Sequence, residues 1–254
     1  RLPAEDMPEL ERWVLHRLTE IDAEVRRACL EYDFHALFAA LHNFCAMDLS
    51  AFYFDIRKDA LYCDPLDSTR RRAARTVLDT LFNCLTAWLA PILVFTAEEA
   101  WLNRFPSDGD SVHLQLFPEI PAAWRNDALG EKWRAVRRLR RVVTGALEVE
   151  RKAKRIGSSL QADPTVHADA DYIGALSGID LAEVVITSSA TLSEGPPADG
   201  AFTLDDVTGV AVVAGLAQGE KCDRCWKLLP EVGDAGLCER CIQAVAAPGR
   251  PAAG

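Results

Sequence analysis

The sequence predicts a mainly α-helical fold: an antiparallel helical bundle, then a small α/β module, then a short cysteine-bearing hairpin. Three observations carry this. Apolar residues recur at three- and four-residue steps through the first two-thirds of the chain. After Gly157 the texture changes to short β-branched runs broken by turn residues. Near the end stand two CxxC pairs, Cys222/Cys225 and Cys238/Cys241, with twelve residues between them.

The first helix is read from Met7, Leu10, Val14, Leu18, Ile21 and Val25, one face of an amphipathic helix that Tyr32-Asp33 breaks. A wider, aromatic stripe follows from Phe34 through Phe44 and Phe52 to Ile56, as expected of a helix packed on more than one side. Pro65 disfavours helical geometry at Asp64 and closes it. Asp67 or Ser68 can cap a third helix, which opens on Arg70, Arg71 and Arg72 and runs to Trp88 before Pro91. Thr96–Trp101 belongs to the next helix, and residues 112–117 are expected to be extended. A long helix is predicted over 124–153, buried through Trp133, Val136, Leu139, Val143 and Leu147, with Gly157 in the segment that ends it. Beyond it, strands are predicted at Val166, over 181–187 and over 207–213, with one helix over 170–176 and a loop over 194–200.

The cysteine spacing points to a tetrahedral four-cysteine Zn²⁺ site. A two-residue gap lets both sulfurs of one knuckle face the same point, and two knuckles complete a closed shell. A closed shell leaves no position for a reacting water, so one structural zinc is expected. Two disulfides or a redox-active CxxC are the other readings; the remaining four cysteines sit singly in apolar surroundings.

The chain has 254 residues and a net charge of −10, which argues against nonspecific polyanion binding by the whole surface. The charge is uneven: over 131–155 ten basic residues face three acidic ones. Such a stripe on an acidic body suits a partner with a defined phosphate track, or is a solvated helix face. The longest apolar run, Trp88–Phe95, is too short to span a bilayer, and no secretory start is seen, so a cytoplasmic protein without a membrane partner is expected. A first residue of Arg rather than Met suggests a piece of a longer polypeptide. The five histidines show no ligand spacing, and neither a glycine-rich phosphate loop nor a GxSxG is present, so no catalytic residue is expected.

Nucleic-acid candidates are better supplied. Arg57-Lys58, the 70–75 arginine cluster and the 137–155 stripe can each neutralise phosphates. Trp226 follows a cysteine ligand directly, among Lys221, Arg224, Lys227 and Arg240. It can stack an unpaired base, or pack over the knuckle as part of a small core. The candidate contacts are therefore Arg57, Lys58, Arg71, Arg75, Arg138, Lys154 and Arg155 to phosphate, and Arg224 and Trp226 to loop nucleotides.

The residues also carry a family resemblance. Asn43 to Asp59, containing D-L-S-A-F-Y-F-D, resembles the anticodon-binding helical domain of bacterial isoleucyl-tRNA synthetases, as does Leu89-Ala90-Pro91 with Phe95-Thr96-Ala97-Glu98-Glu99-Ala100-Trp101. Lys154-Arg155-Ile156-Gly157-Ser158-Ser159-Leu160 resembles the segment after that bundle, and the CxRC pairs with Trp226 resemble the C-terminal zinc module. The matches run in family order through most of the chain. Ala60 stands where the family usually carries Arg, which leaves open any contact made through that position. The HIGH-type and KMSKS-type nucleotide motifs are absent.

With the residue texture, the resemblance gives an anticodon-binding bundle over 1–125, a basic helix extending it over 126–157, a junction module over 158–217 and a zinc module over 218–245; the composition of 246–254 reads as a disordered tail. The resemblance implies recognition of the anticodon arm of isoleucine tRNA by a monomer. An N-terminal body elsewhere in the polypeptide would use ATP and Mg²⁺ to activate isoleucine, and would edit mischarged valine. The alternatives are a zinc-ribbon scaffold for protein interaction, or the equivalent domain of a valyl or leucyl enzyme.

Overall fold

A computed structural model describes residues 1–195, 197 and 199–246. Part of the predicted 194–200 loop and all but the first residue of the predicted 246–254 tail lie outside the described residues. The chain forms two compact units: Arg1–Asp55 with Asp67–Asp127, and Ile56–Leu66 with the chain from Ala128 onward.

The first unit is helical. Helix α1 (Glu9–Leu30) buries Leu10, Trp13, Val14, Leu15, Leu18, Ile21 and Val25. It ends at Tyr32, whose φ is 57°. There the Asp33 N–H reaches Ala28 O and the Tyr32 N–H reaches Cys29 O, closing the last turn. Asp33 then caps α2 (Phe34–Asn43) by accepting from the Ala36 N–H at 3.0 Å.

The wide aromatic stripe is one continuous helix, Phe34–Cys63, but not a uniform one. Between α2 and α3 (Asp55–Cys63) lies a π-helical stretch, Phe44–Phe54, that coincides with most of the D-L-S-A-F-Y-F-D wording. The wider turn brings Asp48 and Tyr53 inward together with Phe44, Leu49 and Phe52. Asp48 is buried against the Arg17 guanidinium, with Nε 3.0 Å and Nη2 2.9 Å from Oδ2. The Tyr53 hydroxyl donates to buried Glu11 Oε1 at 3.1 Å. The signature therefore locks α1 to this helix, with Trp13 edge-on to Phe52 at 5.3 Å. By length and composition alone Phe34–Cys63 is long and apolar enough to cross a membrane. Instead it carries these buried polar pairs, and Leu37, Leu41, Phe44, Leu49 and Phe52 are buried.

Ser68 caps α4 (Thr69–Leu89), and α5 (Val94–Arg104) follows the Pro91 break. Val112–Leu114 is a short 3₁₀ turn rather than an extended segment. Ser111 Oγ accepts from the His113 N–H, and Glu98 Oε2 accepts from both Ser111 Oγ and the Val112 N–H at 2.9 Å.

The second unit is built on α6 (Asp127–Lys152). Lys154 ends this helix, with φ 57°, rather than Gly157. The Arg155 N–H reaches Glu150 O and the Lys154 N–H reaches Arg151 O, so the turn closes without a glycine. A four-stranded sheet follows, in the order β2 (Thr191–Glu194), β1 (Thr165–Ala168), β4 (Val207–Val213), β3 (Phe202–Leu204). β1 is parallel to β2 and antiparallel to β4. Gly145 lets α6 approach β3 closely: a Cβ there would lie 2.8 Å from the Phe202 ring.

α7 (Ala170–Leu176) falls where the sequence predicts it. Residues 181–187, read as a strand from their β-branched run, form instead the short helix α8 (Leu181–Val185). Asp180 caps it by accepting from the Glu183 N–H at 3.1 Å, which outweighs the weak helix preference of Val184 and Val185. The unit ends with β5 (Glu220–Lys221), β6 (Leu228–Leu229) and α9 (Glu239–Ala246).

Candidate metal centre and nucleic-acid interface

β5 and β6 pair, and the first knuckle fills the turn between them. The Cys222 N–H donates to Lys227 O and the Trp226 N–H to Cys222 O, both at 2.9 Å. Gly219, at φ 103°, sits where a Cβ would lie 2.3 Å from the Leu229 backbone. The second pair opens α9, so a helix rather than a second hairpin turn carries Cys241.

All four sulfurs lie within 4.8 Å of one another and all four cysteines are buried. Cys225 Sγ and Cys238 Sγ are 3.8 Å apart. A tetrahedral zinc with bonds of about 2.3 Å sets its sulfurs about 3.8 Å apart, so the donor set fits Zn²⁺. Burial works against ionisation of Cys222, but backbone N–H groups of Cys225, Cys238 and Arg224 outweigh it and bring its thiol down to about 6. The eight cysteines form no disulfide, which removes the disulfide reading.

The arginines inside the two CxRC pairs act on α3. Arg240 donates from Nη2 to Asp59 Oδ1 at 2.8 Å and from Nη1 to Asp59 Oδ2, and Nη1 also reaches Asp64 Oδ1 at 3.2 Å. The Asp59 interaction pushes the Arg240 pKa up against the opposing effect of burial. Arg224 donates to the carbonyls of Cys63 and Tyr62, the latter at 2.9 Å, at the C-terminal end of α3. Its Nη1 also lies 3.7 Å from Cys241 Sγ. Arg224, expected on RNA, thus caps a helix and faces a metal ligand. Asp59, Asp64 and Arg240 do not stand out in the sequence as partners, because the residues that meet are more than 170 positions apart.

Trp226 does not pack over the knuckle: it is 61% exposed. Its φ is 65°, a left-handed conformation that costs a non-glycine residue about 1–2 kcal/mol. Lys221 Nζ lies 5.5 Å from the ring centroid. An aromatic face beside a cation is therefore held out to solvent.

The basic candidates divide by burial. Arg57 is buried, at 2% exposure, and pairs with Glu183 Oε1 at 2.7 Å, so it is not presented to a phosphate. Ala60 beside it in α3 is fully buried. On α6, Lys132 donates to Ser177 O and Arg140 to Val184 O, satisfying carbonyls at the ends of α7 and α8, while Arg141 pairs with Asp206. Arg155 pairs with Glu150. Much of the basic stripe is thus used internally. Arg138 and Lys154 are exposed, and among the described residues no ion-pair partner is seen for either. Lys58 and Arg75 are exposed and Arg71 is half-buried.

His16, Glu20 and Asp127 also come within 4.8 Å of one another. His16 Nδ1 accepts from the Asn126 N–H at 3.0 Å, so the neutral ring carries its proton on Nε2 and has no lone pair there for a metal. Burial lowers the His16 pKa.

Comparison with known proteins places these features. Residues 11–166 match the family described as the anticodon-binding domain of tRNA ligase. Residues 219–244 match the zinc finger found in FPG and IleRS. The chain is 57% identical over 247 residues to a protein named isoleucine–tRNA ligase from Ruegeria pomeroyi, covering 96% of this chain and 25% of that one. It is 57% identical to the Agrobacterium fabrum protein of that name over 90% of this chain and 24% of that one, and 52% identical to the Caulobacter vibrioides protein over 90% and 23%. The chain spans about a quarter of the length of the curated relatives it matches. With a helical unit built on the signature and a four-thiol knuckle, the chain belongs to the anticodon-binding family of tRNA ligases.

Proposed function

We propose that this chain recognises the anticodon arm of isoleucine tRNA as part of an isoleucine–tRNA ligase. The observation that carries the reading is Trp226, an exposed aromatic kept in a costly backbone conformation on a rigid knuckle beside Lys221. Such a ring stacks an unpaired loop base, for which every base offers a face. Lys58, Arg71, Arg75, Arg138 and Lys154 supply phosphate contacts that set register without reading sequence. Arg155 contributes through its exposed side, whereas Arg57 and Arg224 hold protein elements in place. The bound zinc would fix the knuckle's geometry, and Cys222, Cys225, Cys238 and Cys241 would hold it.

In this reading the bundle over 1–125 grips the stem, a basic segment over 126–157 and a junction module over 158–217 follow it in the chain, the zinc module spans 218–245, and the protein works as a cytoplasmic monomer. Isoleucine activation, with ATP and Mg²⁺, belongs to another part of the polypeptide. The relatives' name and their greater length support this.

The test is binding of the zinc-loaded chain to isoleucine tRNA transcript at fixed moderate salt, beside the same transcript with its anticodon changed. Preference for the intact anticodon is the expected result. Equal binding of both would reduce the interaction to a phosphate grip and overturn the anticodon reading.

A further inference from the structure

In the first unit, α4 and α5 line an open cavity of about 510 Å³. Four guanidinium-bearing residues, Arg1, Arg72, Arg75 and Arg104, reach it together with Asp79 and Phe82. Asp79 is shared: Arg104 Nη2 lies 3.0 Å from its Oδ1 and Arg1 contacts its Oδ2. Burial opposes ionisation of Asp79, but these two arginines hold its pKa below the usual carboxylate range. One carboxylate therefore serves two cations. Arg72 and Arg75 are exposed, one turn apart on the same face of α4, and no ion-pair partner for either is seen among the described residues. The cavity thus carries a surplus of positive charge on planar groups able to donate in pairs.

We propose that this cavity binds a phosphate ester, and that a backbone phosphate of RNA fills it. Guanidinium forks match phosphate oxygens two at a time, and the two non-bridging oxygens that share a phosphodiester's charge can bridge Arg72, Arg75 and Arg104. The half-buried ring of Phe82 on the cavity wall gives the attached nucleoside an apolar surface. Arg72 is the addition to the candidates read from the sequence, which include its neighbours Arg71 and Arg75. The choice of RNA as the source rests on the function proposed above; the phosphate chemistry does not.

The experiment has two arms, each on the wild-type chain, R72A/R75A and R72K/R75K, with folding checked by circular dichroism. Adenosine 5′-monophosphate and inorganic phosphate are titrated first, followed by ³¹P resonance shift. The expected result is a saturable shift with wild type that is lost in R72A/R75A and weakened several-fold in R72K/R75K, which keeps the charge but not the fork. An anticodon-arm hairpin RNA is titrated next across a salt series. The log–log salt slope should fall by roughly 0.7 in R72A/R75A, the value for one phosphate no longer neutralised, while R72K/R75K keeps it.

Nucleotide binding with an unchanged RNA slope would support the phosphate-ester site and overturn RNA as its occupant. No saturable ³¹P shift and an unchanged slope would overturn the proposal outright. Loss of anticodon preference in the wild-type chain, with the ³¹P shift intact, would count against the proposed function and leave the cavity's assignment standing.

Discussion

Arg240, inside the second CxRC pair, forks over the carboxylate of Asp59 on α3 and reaches Asp64 with the same guanidinium. The zinc knuckle is therefore anchored by a residue that lies between two metal ligands, so metal binding and docking on α3 are coupled through α9. Arg240 is 31% exposed and Asp59 26%, so solvent moderates the pair. Arg240→Ala should lower the unfolding free energy of the zinc-loaded chain by about 2 kcal/mol, because it removes the guanidinium fork from half-buried Asp59 and its contact with buried Asp64. Arg240→Lys should recover less than half of that, since an ammonium cannot fork. Urea unfolding followed by far-ultraviolet circular dichroism checks both. A Lys variant as stable as wild type would mean that charge alone, not geometry, holds the two elements together.

Zinc removal should act locally. The knuckle has little apolar material besides Val232, Leu229 and Leu237, so the sulfurs form most of its core. Chelation should abolish amide protection over 219–246. Protection of the α1 core, where Trp13, Val14 and Leu18 are buried, should remain. Hydrogen exchange read by mass spectrometry resolves the two regions. Cys241→Ser should bring the metal content well below one zinc per chain. Protection over 219–246 that survived chelation would show that packing alone folds the knuckle.

Much of this is legible from local chemistry. The CxxC spacing locates the metal donors, and helical periodicity locates the buried faces of α1 and α6, because both depend on residues near in sequence. β4 and α7 are readable to their ends for the same reason. Reading 181–187 as a strand fails because it weighs the β-branched run above the Asp180 cap that precedes it. The buried role of Arg57 is hidden because its partner, Glu183, lies 126 positions away. The π-helical stretch is invisible: widening a turn changes which rows of side chains face inward without changing composition. The basic stripe on α6 shows its charge in the sequence but not its targets, the carbonyls of Ser177 and Val184.

His16 should make the first unit sensitive to acid. Its ring is 2% exposed and Nδ1 accepts a backbone N–H, so protonation loses that bond and buries a charge. Burial lowers the pKa from 6.5; Glu20 and Asp127 raise it, and Arg125 and Arg17 lower it. The unfolded chain therefore binds the proton more readily than the folded one. The stabilisation is full above the unfolded pKa of about 6.5 and is lost as pH falls below it. His16→Asn retains an acceptor near the Nδ1 position without titrating. The difference in unfolding free energy, wild type minus variant, should fall between pH 7.5 and pH 5.5. A difference independent of pH would show that His16 does not carry the linkage.

Trp226 should separate stability from binding. Its left-handed backbone disfavours any residue with a Cβ, and its exposed ring contributes little burial. Trp226→Gly removes the conformational penalty, whereas Trp226→Ala keeps it, and both remove the ring that Lys221 approaches. The glycine variant should therefore be more stable than the alanine variant by up to about 1 kcal/mol, after allowing for the greater freedom of glycine in the unfolded chain. Both should weaken anticodon-arm RNA binding to a similar degree, by about 1–3 kcal/mol if one base stacks on the ring. Thermal unfolding and RNA titration at one salt concentration give the two quantities on the same samples. If the alanine variant binds RNA like wild type, the ring is not a stacking platform. If alanine is instead the more stable of the two, the backbone penalty at this position is not real. Should both effects appear as expected, position 226 keeps a strained aromatic for what it touches rather than for what it stabilises.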